Sequence, residues 1–590
     1  MNRAGVPADV GPAEIADRLT GSLLWRAVRC HYALVALLAG ATMASTAAML
    51  ALPAALADAV DGALQGHAAA ALPLLAVLAV TTAADPLTQF ADGRCRAAIT
   101  AWLREQLVRH VLSFGMQGSR RFAQGDLLER LTGNAPAAAG AIPVTVSAVT
   151  QSMAAAGAIV LLGLITPLLL AVLAVGIALG TVLARSFARD VRVFVLGYQE
   201  TLAVIAARLV DALAGIRTIR ASGTCDREIE RVTHPLPRLG EFGRRMWRRN
   251  ARAVWRASLL VSAALLAVLA VAGRQVASGQ LPPGELLAAA GYVVLAFGFL
   301  GNAQAQYALA QARTSARRLA EVLAVRPMDS GCGALPQGPG ELEFRQVTLS
   351  MPDGRGRSRL LDRVDLSVPA GRSVAVVGRS GAGKSMLAAL AGRLIDPDAG
   401  QVLLDGQPLP AIDTKLLRRA VAYASQQSAL FGATMADAIG PGPPEALQAA
   451  ARVAHAHAFI SRLPAGYQTL LAEAPMSGGE AQRLGLARAI AHGGRLVILD
   501  DAAAGLDTVT ERQVSLALAE AMPGRTRLIV THRIATAARA DLVAWLDDGR
   551  IRAVARHAEL WSDPAYRDLF GSAAPGNRTP ELGENGRTAP

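Results

Sequence analysis

Six stretches of this chain, near residues 33–57, 68–90, 141–165, 166–188, 255–277 and 284–307, are apolar enough to restrict sharply how it can fold. Each has about 22 residues or more, and at ~1.5 Å per helical residue that length crosses a hydrocarbon core of ~30 Å. In hydrocarbon the backbone N–H and C=O groups must be satisfied within the segment itself, so each stretch is expected to be a membrane-spanning α-helix. Hydrophobic residues make up 52% of the chain and charged ones only 18%, a balance that suits a bilayer better than water. Thr166-Pro167 separates the third and fourth stretches and predicts a tight external turn there.

The placement of arginine sets the orientation. Arg18, Arg26 and Arg29 precede the first stretch. Arg94, Arg96, Arg104, Arg109, Arg120, Arg121 and Arg130 lie between the second and third. The fourth-to-fifth connection holds Arg185, Arg189, Arg192, Arg217, Arg220, Arg244, Arg245, Arg248 and Arg249 among others, whereas the opposite loops carry little positive charge. Both termini are therefore expected in the cytoplasm of a multi-pass plasma-membrane protein. The net charge of +13 is thus a matter of topology and lipid headgroups, and nucleic acid is not expected as a partner. Both arginine-rich connections are long and helix-friendly, so the spanning helices should run on into the cytoplasm and turn around near Phe114–Phe122 and Ala221–Ile229. Cys30, Cys95, Cys225 and Cys332 are scattered, which argues against a zinc site or a disulfide framework. The polar start, residues 1–22 with Pro7 and Pro12, does not read as a signal peptide.

Residues 324–340, rich in Pro and Gly, read as a linker between a transmembrane domain (23–323) and an α/β nucleotide domain (341–571); the polar tail 572–590 reads as disordered. The expected fold class is thus an all-α six-helix transmembrane domain followed by an α/β P-loop domain. Within the second domain a β-like run, Ser373–Val377, leads into Gly378-Arg379-Ser380-Gly381-Ala382-Gly383-Lys384-Ser385. Glycines at these positions let backbone N–H groups fold around the phosphates of ATP. Lys384 would reach the outer phosphates, Ser385 would ligate Mg²⁺, and Met386 follows on the helix that the loop opens. Lysine occurs only twice in the chain, at Lys384 and Lys415, so its presence here points to a need for a compact ammonium.

The order of segments resembles the exporter-type half-transporters of the ATP-binding cassette (ABC) family, from about residue 20 to 570. Gly125–Thr132 and Gly215–Gly223 look like family stretches beside the two coupling helices. In the soluble half the resemblance assigns roles residue by residue. Gly378–Ser385 matches Walker A, and Gln426 matches the Q-loop glutamine that meets Mg²⁺ and the transmembrane domain. Ser477-Gly478-Gly479-Glu480 resembles the signature sequence that opens a helix. Leu496–Asp501 ends in Walker B, with Asp500 on Mg²⁺ and Asp501 in the place of the catalytic base. Asp507 falls in the D-loop, and His532 matches the H-loop histidine at the γ-phosphate. The implied activity is ATP hydrolysis coupled to transport, most simply export of a small molecule, peptide or lipid-like compound. An importer on the same scaffold and an ATP-binding membrane regulator stay open on the sequence alone.

Three departures qualify the match. The residue after the Walker B aspartate is ordinarily glutamate, and here it is Asp501. A carboxylate one methylene shorter misplaces a base by roughly 1 Å, a cost on the order of 10²-fold in rate. Glu480 stands where the signature ends in glutamine, and Met351 where an aromatic stacks on adenine. Together these resemble one subunit of a heterodimer, favoured here over a homodimer, whose own Walker site is slow. Its signature, Ser477–Gly479, would then serve a partner half-transporter that carries the glutamate. Asp85 is the clearest ionisable group within the spans. It is expected near the cytoplasmic end, before Pro86, reaching water or Arg94.

Overall fold

The computed structural model describes residues 12–571, apart from 117, 119–121, 299–301, 326 and 354–355. The expected disordered tail and the first eleven residues lie outside the described residues, as does part of the first turnaround. The chain divides into two compact units: 1–112 with 122–326, and 113–121 with 327–590.

The first unit is all helix. Its main elements are α1 (Pro12–Cys30), α2 (Tyr32–Leu64), α3 (Leu72–Val111), α4 (Ala141–Ile165), α5 (Pro167–Ala214), α6 (Leu236–Ala277), α7 (Pro283–Ala296) and α8 (Asn302–Leu323). Among the described residues four helical stretches are long and apolar enough to cross a membrane: Tyr32–Leu64, Ala69–Val111, Gln124–Ile165 and Cys225–Ala277. Two shorter apolar helices, Pro167–Leu183 and Pro283–Ala296, fall on the fourth and sixth apolar stretches of the sequence. With 48 residues, α5 is ~72 Å long, far more than a bilayer needs. Thr166 is extended (φ −154°) between α4 and α5, so the turn at Thr166-Pro167 is as tight as its sequence predicts. The second turnaround falls at Gly223, whose left-handed backbone (φ 66°) stops the short helix Ile216–Ser222.

Alanines let the helices of this unit approach closely. Ala57, Ala158, Ala264, Ala272, Ala288 and Ala289 are buried around Leu162, Leu169 and Tyr292. Polar groups among them have partners. Asp61, near the end of α2, accepts a hydrogen bond from the Gly284 N–H (2.7 Å) and so caps the first turn of α7. Arg130 is buried, with its guanidinium bonded to Asp126 (2.9 Å) and to Glu321 on α8 (3.2 Å). That ion pair fastens the Gly125–Thr132 stretch to α8.

Of its two expected surroundings, water and Arg94, Asp85 is exposed but does not pair with Arg94. The Ser45 hydroxyl donates to its carboxylate (2.9 Å), while Arg94 lies over the ring of Phe90 instead. Ser45 is thirteen residues from both Tyr32 and Asp58, or ~20 Å along the helix from each. The bond therefore joins the middle of the first apolar stretch, 33–57, to the second, 68–90. The side chains of Asn302, Gln304 and Gln306, also candidates to line a pathway, lie outside the described residues.

The second unit holds two sheets. The first is antiparallel, built from β1 (Leu342–Asp353), β2 (Gly356–Val368), β4 (Ala399–Leu404) and β5 (Gln407–Pro408), in the order β2-β1-β4-β5. The second contains β3 (Ser373–Val377), β6 (Val421–Ala424), β7 (Leu496–Asp500), β8 (Thr526–Val530), β9 (Leu542–Asp547) and β10 (Arg550–Ala555), in the order β10-β9-β3-β8-β7-β6. From β9 to β6 its neighbours are parallel. Every residue of β3 and β7 is buried, as a strand covered on both faces requires. Helices α9 (Lys384–Ala391), α10 (Gly478–His492) and α11 (Thr508–Ala521) carry or follow the motifs. Met116 packs with this unit: its N–H donates to the Leu394 carbonyl (2.8 Å), and its side chain rests on the sheet core.

The cap on α7 gives a direct test. Asp61→Ala is expected to cost ~1–2 kcal/mol and lower the thermal midpoint of the detergent-solubilised protein. Asp61→Asn, whose amide oxygen still accepts from Gly284, should lower it by less than half as much.

Candidate nucleotide site

The loop after β3 is shaped by close approach. A side chain on Gly378 would place its Cβ 2.1 Å from the Leu546 carbonyl of β9, and Gly383 opens α9 in the left-handed region (φ 101°). Lys384 folds back into this loop, where Nζ donates to the carbonyls of Gly378 (2.8 Å) and Arg379 (2.7 Å). Only 5% of Lys384 is exposed. Burial pushes its ammonium below the ordinary lysine range, against the pull of Asp501 and Asp500. Arg379, Ser380, Gly381 and Ala382 form the turn of the loop, closed by the Ala382 N–H on the Arg379 carbonyl (3.2 Å). Met386 on α9 and Met351 on β1 both pack against the core, with Met351 paired to Ser358 of β2.

Beside the loop, Asp500 ends β7. The Ser385 hydroxyl donates to one of its oxygens (2.9 Å) and the Tyr423 hydroxyl to the other (3.1 Å). Burial next to Asp500 drives the Tyr423 phenol far above its usual range, so it stays a donor. Tyr423 was not among the sequence candidates. Its only signal was a polar atom in the apolar strand Val421–Ala424 that precedes Gln426.

Asp501 follows with a left-handed backbone (φ 50°), a region that Asp and Asn enter more readily than longer side chains. Its carboxylate accepts from Gln426 Nε2 (3.3 Å), and burial pushes its pKa up. His532 feels the same pocket: burial and then the Lys384 charge push its imidazole below the ordinary histidine value, opposed by Asp501. The next residue, Arg533, pairs with buried Glu511 of α11 and reaches the carbonyls of Ala504 (3.1 Å) and Leu506 (2.9 Å). Thr536 donates to the same Glu511 (2.8 Å). The segment leading to Asp507 is thus tied to the segment carrying His532, a link that needed the fold to be seen.

Lys384, Ser385, Asp500, Asp501, Gln426 and His532 are therefore gathered at one end of the parallel sheet. The signature residues make a separate local structure. Ser477 caps α10: its hydroxyl and N–H both donate to the Glu480 carboxylate (2.8 Å each), and the Glu480 N–H donates back to the hydroxyl (3.3 Å). These bonds, with the Ser477 N–H foremost, hold Glu480 below the usual carboxylate range. Asp507 likewise caps α11, accepting from the N–H groups of Val509 (3.1 Å) and Thr510 (2.9 Å).

Two family models match the chain: the ABC transporter transmembrane region over residues 35–300 and the ABC transporter domain over 361–504. The ABC transporter ATP-binding protein RamA of Streptomyces coelicolor is 43% identical over 538 residues, covering 90% of this chain and 84% of that protein. The chain belongs to the ABC transporter family. The ATP-dependent lipid A-core flippase of Chromobacterium violaceum is 33% identical over 373 residues, covering 61% of this chain and 63% of the flippase. A solved bacterial Atm1-family ABC exporter with ATP bound superposes with a TM-score of 0.78 over 94% of this chain and 100% of that one. At 23% identity it speaks for the fold. This ABC transporter binds ATP and couples its hydrolysis to transport across a membrane. Half-transporters of this kind work as dimers in the bilayer.

The His532 environment sets a pH dependence. A depressed folded pKa means that the fold binds the proton less well than the unfolded chain does. This stability is fully present above the ordinary value of ~6.5 and is lost as pH falls towards the folded value. Thermal midpoints of the nucleotide-free transporter should therefore drop between pH 7.5 and 5.5 by more in the parent than in His532→Gln.

Proposed function

We propose that this chain is one half of a heterodimeric exporter, with six spans per chain and both termini cytoplasmic, and that its own Walker site holds ATP longer than it hydrolyses it. Asp501 carries this reading. It is one methylene shorter than the usual base, its backbone conformation favours a short polar side chain, and Gln426 holds its carboxylate. Glu480 works against it: it occupies the Ser477 hydroxyl of the signature, which on this reading serves the partner's faster site.

The residues suit ATP with Mg²⁺. Lys384 uses two of its three N–H bonds on loop carbonyls and keeps one for an anion. Ser385 and Asp500 bring oxygen donors within 2.9 Å of each other. Mg²⁺ is commonly held by one or two carboxylates with substrate phosphates completing the shell. Among the described residues no cluster of three metal-binding side chains competes with that arrangement. When bound, the cation would neutralise charge on the outer phosphates. Gln426 and Asp501 would orient the attacking water, and His532 would meet the γ-phosphate. Gly378–Gly383 would supply N–H groups, and Ser477, Gly478, Gly479 and Asp507 would face the partner's nucleotide.

The cargo is proposed as a lipid-like or peptide compound. The flippase relative is named for a lipid, and the Asp85–Ser45 pair gives the first two apolar stretches a polar point in apolar surroundings.

Purification with the co-purifying partner tests the slow site. Asp501→Glu is expected to raise ATP turnover roughly 10-fold or more, with KM for ATP little changed. A purified homodimer whose rate is already robust, and which Asp501→Glu leaves unchanged, overturns the proposal.

A further inference from the structure

Gln482 lies in the second turn of α10, 7% exposed, and belongs to none of the roles assigned above. Its side chain joins three segments of the chain's own nucleotide site. Nε2 donates to the carbonyls of Gln426 (3.3 Å) and Asp501 (3.4 Å), and Oε1 accepts from the Gly505 N–H (2.9 Å). Every hydrogen-bonding position of one amide except a second Oε1 lone pair is thus used on backbone that flanks the site.

One glycine makes room for this contact and a second for the next contact along the helix. A Cβ on Gly505 would lie 2.5 Å from Gln482 Oε1, although the backbone there is not in the left-handed region and alanine is otherwise permitted. One turn along α10, a Cβ on Gly485 would meet the Ser428 Oγ at 2.0 Å. A further turn on, Arg488 donates to the carbonyls of Ala429 (3.0 Å) and Ala438 (2.8 Å). Positions 482, 485 and 488 recur at a helical spacing, so one face of α10 grips the segment that begins at Gln426.

We propose that Gln482 is a positioning residue that couples the two ATP sites of the dimer. The N-terminus of α10 carries Ser477-Gly478-Gly479, aimed at the partner's nucleotide, while five residues on Gln482 holds Gln426, Asp501 and Gly505 of this chain's site. A phosphate that draws in the helix N-terminus therefore moves the backbone on either side of Asp501 through a single amide. This rests on the reading that each nucleotide is shared between two chains.

The full transporter dimer, reconstituted in lipid nanodiscs with ATP as the probe, tests this through Gln482→Leu, Gly505→Ala and the double variant. Each single change should lower kcat roughly 10- to 100-fold with KM for ATP held within about 3-fold. The double variant should be no slower than either single one, because both remove the same contact. Hydrogen exchange of the Gly505 amide without nucleotide reads the clamp alone. It should quicken about tenfold in Gln482→Leu. Gly505→Ala also covers the case in which Gln482→Leu fails to fold. Effects on kcat that multiply, a raised KM with kcat intact, or Gly505→Ala at the parent rate each overturn the coupling. ATP turnover by a protein that stays monomeric would instead overturn the shared-site reading, leaving the exchange result standing.

Discussion

In the parallel sheet, Val376 of β3 lies opposite Val530 of β8, Val530 lies opposite Asp500 of β7, and Leu499 lies opposite Ala424 of β6. Everything chemical in the soluble unit depends on that register. One step past the last paired residues come Gly378, Thr531-His532, Asp501 and Ser425-Gln426, so four loops far apart in sequence emerge side by side. The Asp501 N–H on Val530 O (3.1 Å) and the Thr531 N–H on Val376 O (3.2 Å) carry the alignment past the strands themselves. A slip of one residue would turn each strand's side chains to the opposite face. Because β3 and β7 are buried on both faces, their apolar side chains cannot be rearranged without cost, and the loops inherit that rigidity.

The same burial explains how the charges behave. Lys384 is pushed towards neutrality and so is Asp501, each by loss of water, while their mutual attraction works the other way. The same loss of water, with the Lys384 charge, pushes the His532 imidazole below its ordinary value. The site is thus a group of ionisable side chains running from buried Lys384 and Asp500 through half-buried Asp501 to exposed His532, incompletely compensated by one another. An outer phosphate with its cation would complete it. Outside it, the Ser477 N–H and hydroxyl hold Glu480, and the Thr510 hydroxyl and N–H hold Asp507, below the usual carboxylate range, so their charges are already compensated before any nucleotide arrives.

The strands and loops of the site were legible because their patterns are local. Ser373–Val377 and Leu496–Asp500 are unbroken apolar runs, and each motif follows its run directly. The spans were legible for a similar reason, since length and apolarity are properties of one segment. What could not be read were contacts set by the meeting of two segments. Tyr423 on Asp500, Ser45 on Asp85, Arg130 on Glu321 and Gln482 on Gly505 pair residues between 23 and 191 positions apart. Asp85 shows the limit well. Its neighbours in sequence suggested Arg94, about two and a half helical turns along α3, because nothing in α3 announces what α2 presents to it.

The chain's two lysines sharpen the argument about the site. Lys415 is exposed on a short helix, where an arginine would meet no obstacle. Lys384 is buried, and its ammonium fits between two carbonyls 2.8 and 2.7 Å away with one N–H to spare. A guanidinium presents a planar fork of five donors, too broad to bond both carbonyls and still point a single donor at a phosphate. In a chain that uses arginine almost everywhere else, the geometry of two carbonyls in one glycine-rich loop accounts for the exception.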